Sequence, residues 1–429
     1  MPPIKNVLIY PCGGEVGLEL NRCLRDRPHI RVHGCSSSPE HGSLLFENHV
    51  GYIPGMDDSE FLPTLTRIIR AHGIDYIFPG DDEAIAGLSE LASDGLLEAE
   101  VMAPDSGVCR LCGSQSATIA FFSGKLPVPK MFDPGNIGDA DFPVLVEPDA
   151  GRVSGNVFLA RDRREMLDRL RSMPMDIIVE HLPGKEYAVD CFTDGAGALL
   201  LVSGREKIKT SGFIGIHCRL TEDPAFRTFA EAINCELKLR GAWFFILKGD
   251  QNDKLRLTEI YPRLGSSSGL QRAMGLNLPL LALYDRMGLP LRLMPNRLPG
   301  AEIVRPLASH YRLGLRYDAV YMGLEDTLIQ GGKVNTKATR FVFQCLNKNI
   351  PVTIVSRSPE DPREILRRYR MEGIFDNVIR VRGSDGKSSA IISKKSIFID
   401  QSFTERQEVH QALGIPVFDP AAIEALLEP

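Results

Sequence analysis

The first hundred residues alternate short apolar runs with amphipathic segments, and no other feature restricts the possible folds of this chain so strongly. "NVLIY" (6–10), "RVHGC" (31–35), "DYIFPG" (75–80) and "EVMAP" (100–104) read as strands, with "EVGLELNRCL" and "DDEAIAGLSELA" as helices between them. Strands separated by whole helices cannot close tight hairpins, so they pair in parallel through crossover connections. "DSEFLPTLTRIIRAHG" places Phe61, Leu62, Leu65, Ile68 and Ile69 on one helical face, with Asp58 or Ser59 as its cap. A parallel α/β layer of about four strands is expected over residues 1–104.

From about residue 105 the rhythm changes. A short helical stretch (114–123) precedes a hairpin-like pair, "FPVLVEP" and "SGNVFLA", then a helix over 161–172 and the strand "DIIVEHL". Longer strands follow: "EYAVDCFTD", "GALLLVSGREKI", "WFFILKGD" and "KLRLTEIYP". This predicts an antiparallel α+β body over 105–312. Over 313–429 the alternation returns, with a strand in "YDAVYMGLEDTLI", helices over 336–348, 362–372 and 403–413, and strands "PVTIVS", "NVIRV", "SIFID" and "PVFD". The fold class is α/β and α+β multidomain, as 429 residues require.

Charge narrows the partners. A net charge of −5 gives no global basic field, so nucleic acid is not expected. The basic runs "RDRREMLDRLR" and "PREILRRYR" carry apolar residues at helical spacing and read as solvated faces of amphipathic helices. No apolar run approaches the ~18 residues that span a bilayer, and "MPPIKNVLIY" has no signal-peptide pattern, so no membrane and a cytoplasmic location are expected. Nine scattered cysteines suit reduced thiols; Cys109 and Cys112 in "CRLC" form the one pair at metal spacing, and no second pair answers them. "PCGGEVG", with Gly13, Gly14 and Gly17, resembles a dinucleotide turn weakly, because the second strand ends in "GCSSSPE" without an early acid for a ribose.

Three stretches carry chemistry. "DIIVEHLPGKEYAVD" sets Glu180 and Glu186 either side of a Pro-Gly turn, able to aim two carboxylates at one ligand. "REKIKTSG" places Arg205, Lys207 and Lys209 at strand alternation, which points all three cations to one face. "LTEIYPRLGSSSGL" ends a strand on Glu259 and then presents Arg263 and a run of small residues. Each alone also reads as surface charge.

In this order the stretches resemble the ATP-grasp superfamily, in its carbamoyl phosphate synthetase and biotin carboxylase branch of carboxylate-amine ligases, over residues 1 to about 310. The resemblance implies a parallel pre-ATP-grasp domain (1–104), an antiparallel ATP-grasp body (105–312), ATP and Mg2+ as cofactors, and small-molecule carboxylate and amine substrates. It places Glu180 with the backbone of His181 and Leu182 at adenine, Glu186 at the ribose, and Glu259 at the metal. Arg263 then faces phosphate or substrate and Arg205 faces the acyl substrate; apart from the resemblance, Lys185, Lys207 and Lys209 can supply charge from new positions. Gly151, Ser154 and Gly155 in "GRVSGNV" form a loop whose amides cover phosphates.

The departures carry equal weight. Where the family has a lysine on a "PVIVKP"-like strand, this chain has Glu147; where a "DK" pair opens the next helix, it has Ser114-Gln115. "E-x-N-P-R" becomes "EIYPR", with Tyr261 for a metal-binding asparagine, and the other metal ligand falls on Phe244 or Phe245. A unit charge pair near 4 Å is worth roughly 4 kcal/mol at an effective dielectric of about 20, so exchanging Lys for Glu costs about twice that against a phosphate. Pairing of Glu147 with Arg152 reduces this cost.

Residues 313–429 resemble the haloacid dehalogenase superfamily, a Rossmann-like α/β domain. Its chemistry needs an aspartate nucleophile and a second aspartate two residues on. Those positions read Gly323 and Glu325, followed by Asp326 and Thr327, while Ser356, Lys387 and Asp400 hold the other motif positions. Glycine forms no aspartyl-phosphate, so phosphatase activity is not expected. The combined expectation is a protein of ligase descent in small-molecule or cell-surface glycan biosynthesis. Its own catalysis is weakened or lost, and it acts as a ligand-binding subunit, as a homo-oligomer or beside an intact paralogue. The alternative is an active ATP-dependent ligase with a rearranged phosphate site.

Overall fold

The computed structural model describes residues 3–38, 41–150, 157–212, 214–296, 298–306 and 308–428. The chain divides into two compact units, residues 1–307 and 308–429.

The first unit opens with strands β1 (Lys5–Tyr10), β2 (Ile30–Ser36), β3 (Asn48–Tyr52), β4 (Tyr76–Pro79) and β5 (Glu100–Val101), interleaved with helices α1 (Glu15–Leu24), α2 (Gly42–Leu45), α3 (Phe61–His72) and α4 (Asp82–Ser93). They form one parallel sheet in the order β3-β2-β1-β4-β5. The fifth strand is β3, whose sequence "NHVGY" has too little apolar content to announce itself. The apolar face of α3 is buried as its spacing requires, through Phe61, Leu65, Ile68 and Ile69. Glu60 stands at its N-cap without a side-chain cap, while Asp58 accepts from the Glu60 N–H at 2.8 Å.

Helices α5 (Ser106–Gly113) and α6 (Gln115–Phe122) lead into a small antiparallel sheet of β6 (Val144–Pro148), β7 (Phe158–Ala160) and β8 (Asp176–Glu180), ordered β7-β6-β8, with α7 (Arg163–Ser172) between its last two strands. A larger sheet holds β9 (Glu186–Thr193), β10 (Leu199–Ser211), β11 (Ile214–Thr221), β12 (Gly241–Gly249), β13 (Leu255–Tyr261) and β14 (Glu302–Val304), ordered β13-β12-β9-β10-β11-β14, with helices α8 (Pro224–Leu237), α9 (Gly269–Ala273) and α10 (Leu278–Arg286). One apolar core runs from Val7, Ile9 and Leu20 of the parallel layer to Phe192, Leu201 and Leu283 of the larger sheet's side, which makes residues 1–307 a single packed unit.

The second unit is a parallel sheet ordered β19-β18-β15-β20-β21, from β15 (Ala319–Gly323), β18 (Val352–Ser356), β19 (Asn377–Arg380), β20 (Ser396–Ile399) and β21 (Val417–Phe418), with the small hairpin β16 (Ile329–Gln330) and β17 (Lys333–Val334) after its first strand. Helices α11 (Thr336–Asn347), α12 (Pro362–Arg368) and α13 (Phe403–Leu413) supply the crossovers. Its core, including Val320, Met322, Phe341, Ile354 and Ile397, is its own.

One core residue of the first unit sets a pH dependence. His33 on β2 is buried with neither ring nitrogen hydrogen-bonded, 5.1 Å from the His72 ring. Burial, helped by His72 and Arg31, pushes its pKa down to about 4. The unfolded imidazole titrates near 6.5, so between that pH and 4 the unfolded chain binds the extra proton and stability falls as pH falls. We expect a loss of about 1 to 3 kcal/mol over that window, read as urea midpoints against pH. His33→Phe should flatten this part of the curve, and equal slopes in the two proteins would refute the assignment.

Candidate functional site

A cavity of about 470 Å³ opens where the loops of the parallel layer, the start of α6, the small sheet and the larger sheet converge. Gly14, Gly80, Asp81 and Asp82 approach from the first layer, Gln115 from α6, Glu147 and Asp149 from β6 and the residues after it, and Glu180 and Leu182 from the end of β8. The larger sheet contributes Glu186, Arg205, Lys207, Phe244, Lys248, Glu259, Tyr261 and Arg263.

Most of the residues singled out in the sequence therefore meet in one place. His181 does not line the cavity with its neighbours Glu180 and Leu182. Its imidazole titrates below the ordinary range because of burial and the nearby Lys248 ammonium. Gly151, Ser154, Gly155 and Arg152 lie outside the described residues. Lys209 departs from expectation: the ladder between β10 and β11 shifts register on both sides of it, which breaks the two-residue alternation, and it is exposed away from the cavity.

The cations that reach the cavity are already engaged. Arg205 is 1% exposed; its Nη1 donates to Asp190 Oδ2 and its Nε donates to Ser267 Oγ at 3.1 Å. Lys207 Nζ donates to Glu186 Oε1. Arg263 grips Asp82 with two parallel bonds, Nε to Oδ1 at 2.6 Å and Nη2 to Oδ2 at 2.7 Å, and lies over the Tyr261 ring at 4.9 Å. Its fork is therefore turned to the first layer instead of standing open to a ligand. The side chain of Lys248, on β12 opposite Glu186, makes no hydrogen bond or ion pair among the described residues. Sequence reasoning passed over it because a lysine near a strand end looks like any solvated charge.

The carboxylates have distinct employments. Glu180 accepts from the Lys130 N–H at 3.0 Å. Asp149 accepts from Ser114 Oγ at 2.8 Å, Ser116 N at 2.6 Å and Ser116 Oγ at 2.9 Å, which satisfies the first turn of α6 and places a negative charge at its positive end. Asp81 caps α4 by accepting from Ala84 N at 2.7 Å, and burial raises its pKa. Glu147 is 3% exposed, inside the cavity wall on β6. Gln115, 7% exposed at the start of α6, has a buried side-chain oxygen with no hydrogen-bond partner.

The surroundings of Glu259 do not fit a protein-held magnesium ion. Tyr261 Oη donates to Glu259 Oε2, Ile246 stands directly across the ladder from Glu259, and Phe244 stacks on Tyr261 with ring centroids 4.5 Å apart. Ala188, Phe244 and Ile246 make this face apolar. Magnesium is commonly held by one or two carboxylates, with ligand phosphates and waters completing the octahedron; here the side chains of Ile246 across the ladder from Glu259 and of Phe244 stacked on Tyr261 supply no oxygen. Cys109 and Cys112 also reach the cavity, but burial pushes the Cys112 thiol up to about 12, so it is no nucleophile at neutral pH.

With this geometry in hand, comparison with solved structures is decisive for the fold. Biotin carboxylase from Campylobacter jejuni, solved as a βγ-ATP complex, superposes with a TM-score of 0.57 at 14% identity, covering 68% of this chain and 72% of that one. About two thirds of this chain has the ATP-grasp fold. Carboxyaminoimidazole ribonucleotide synthase from Aspergillus clavatus, complexed with ATP, gives 0.55 at 14% identity (67% and 78% covered), and L-amino acid ligase from Bacillus licheniformis gives 0.52 at 16% (66% and 74%). Residues 172–304 of the ATP-grasp unit match the family model described as "ATP-grasp in the biosynthetic pathway with Ter operon". No curated protein matches the sequence.

In the second unit the motif positions also converge. Lys387 Nζ donates to Asp400 Oδ2 at 2.7 Å in a buried pair, Ser356 Oγ donates to Glu325 Oε1, and Thr327 Oγ1 accepts from Gln401 N at 2.9 Å. Gly323 ends β15 against this cluster: a Cβ there would lie 2.4 Å from Asp400 Oδ2. Among the described residues no helix is long and apolar enough to cross a membrane.

Proposed function

We propose that the ATP-grasp unit binds the nucleoside end of a nucleotide-like ligand in small-molecule or cell-surface glycan biosynthesis, does not transfer phosphate unaided, and serves as a binding or partner subunit. The observation that carries this reading is the pair Glu147 and Gln115, an acid and an amide on the cavity wall where the family resemblance calls for two phosphate-gripping lysines. Phosphoryl transfer depends on cationic clamps for charge stabilisation, and here Arg205, Lys207 and Arg263 are each held by an acid of the protein. The adenosine end of the resemblance keeps its residue types, since Glu180, Leu182 and Glu186 all line the cavity. Magnesium, for want of a ligand set, has no part in the reading. Residues 308–429 act as a dehalogenase-like docking domain lacking its nucleophile. A cytoplasmic assembly with a second copy or an intact paralogue follows, and recovery of a monomer alone from the native host would count against it.

The test is calorimetric titration with adenosine and with a non-hydrolysable ATP analogue in excess magnesium, alongside an assay of ADP release. Adenosine should bind, the analogue should bind no more tightly, and ADP release should be absent. Glu147→Lys should then strengthen analogue binding at least tenfold, since a charge reversal at 4 Å is worth several kcal/mol, roughly. An analogue that binds wild type tenfold better than adenosine would overturn the proposal. One observation favours a second reading, an active ligase that clamps phosphate from a new position: Lys248 lines the cavity without a partner among the described residues. On that reading wild type releases ADP with a suitable carboxylate and amine, and Lys248→Met abolishes it.

A further inference from the structure

We propose that a second, smaller pocket, lined by Arg240, Arg263 and Arg286, holds a compact oxyanion, either a carboxylate group or orthophosphate. The inference goes beyond the functional reading above and does not rest on it. Pro262 and Arg263 form the wall that this pocket shares with the main cavity. Arg240 precedes β12, Arg263 follows β13 and Arg286 closes α10, while Leu20, Phe78 and Met102 come from the parallel layer. Apart from the three arginines, every lining residue is apolar or glycine. Its room for atom centres is about 30 Å³, where one water takes roughly 10 to 15 Å³. An acetate-sized or phosphate-sized guest therefore fits, and a nucleotide does not.

Each arginine is paired with an acid that does not line the pocket, and the pairing leaves donors over. Arg240 donates from Nε to Asp285 Oδ2 at 2.6 Å and from Nη2 to the Asp285 backbone oxygen at 3.1 Å. Arg286 donates only from Nη1, to Glu100 Oε1 at 2.9 Å. Arg240 Nη1 and Arg286 Nε and Nη2 therefore have no hydrogen-bond partner among the described residues. Arg263 has all three nitrogens engaged and adds charge alone. The charge is also incompletely balanced. Burial and the neighbouring Arg240 hold the Arg286 guanidinium below its usual pKa, and the attraction of Glu100 and Asp285 does not offset them. Water satisfies spare N–H groups but brings no countercharge. An oxyanion does both, and its spaced oxygens match the guanidinium fork.

The experiment is isothermal titration of the full chain at low ionic strength with sodium orthophosphate and, separately, with sodium acetate, each against a sodium chloride blank. At least one oxyanion should bind at a single site; phosphate alone marks a tetrahedral guest, and acetate alone a carboxylate. Arg286→Gln and Arg240→Gln should each weaken that binding about tenfold, the effect of losing a charged hydrogen bond. Fluorescence of the buried Trp243 verifies that each variant is folded. Glu100→Gln keeps all three arginines and releases Arg286 Nη1, so it should tighten binding at least twofold and serves if an arginine variant does not fold. Binding of neither anion, or binding that the arginine and Glu100 substitutions leave unchanged, overturns the proposal. Loss of binding in Lys248→Met with the arginine variants unaffected would move the anion to the main cavity and overturn it equally.

Discussion

Replacing Arg205 by methionine is expected to destabilise residues 1–307 by about 3 to 5 kcal/mol, the usual result of stripping one partner from a buried ion pair. Both side chains are 2% exposed, so water cannot replace the lost guanidinium. Asp190 would keep one donor, Gln271 Nε2 at 3.1 Å, against a full negative charge. Converting both residues, Arg205→Met with Asp190→Leu, should recover most of the loss, since apolar side chains of similar volume often substitute for a buried pair at little cost. Urea unfolding followed by Trp243 reads this directly: it is the single tryptophan, buried directly across the ladder from Asp190's neighbour Cys191, and its indole N–H donates to Thr193 Oγ1 at 3.0 Å. An unchanged midpoint for Arg205→Met would mean that the pair contributes nothing to stability. Gly265 belongs to the same device. A Cβ there would stand 2.8 Å from Arg205 Nη2, so the small residues of "LGSSSGL" leave the guanidinium the room it occupies.

That pair also marks where sequence reasoning stops. The layers were legible because strand and helix periods differ: β1, β2, β4, β15, β18, β19, β20 and β21 carry β-branched or alternating apolar runs, and α3 and α11 carry amphipathic ones. Strands β3 and β11, "NHVGY" and "IGIHCRLT", were silent, since both owe their strand state to neighbours that pair with them more than to their own composition. In the cleft, the odd residue Glu147 was visible as soon as the strand was recognised, because a carboxylate inside an apolar run demands a reason. Which cations remained available was not visible. Arg263 is committed to Asp82, 181 positions away in sequence, and Arg205 to Asp190 on another strand. Such partnerships depend on how two sheets pack and on the register within one of them. Lys209 shows the same limit at short range, where one irregularity in the β10 ladder turned a face-sharing triplet into a pair.

Gly323→Asp, which on the proposed dehalogenase-like reading puts a carboxylate at the nucleophile position of the second unit, should unfold that unit before it supports any chemistry. An added Cβ meets Asp400 Oδ2 at 2.4 Å, Asp400 Cγ at 3.0 Å and Thr327 Oγ1 at 2.9 Å. Overpacking of this kind costs about 1 to 3 kcal/mol, and a second carboxylate near 4 Å from Asp400 adds roughly another 4 kcal/mol at an effective dielectric of about 20. Lys387 is the cation that Asp400 holds, and burial already raises the Asp400 pKa against that help, so the cluster has little capacity for a further negative charge. Such a sum rivals the whole stability of a domain of about 120 residues. The expected outcome is loss of far-UV ellipticity from residues 308–429 at a lower denaturant concentration, with no hydrolysis of p-nitrophenyl phosphate. Gly323→Ala separates the two terms, since it adds the contact without the charge and should cost about 1 to 3 kcal/mol. The Trp243 signal should not follow either change, because the tryptophan lies in the core of residues 1–307. A folded Gly323→Asp protein that cleaves the phosphate ester would show that Asp400 can move aside and that Glu325 serves in place of the second aspartate, and would support the proposed dehalogenase-like reading of this unit.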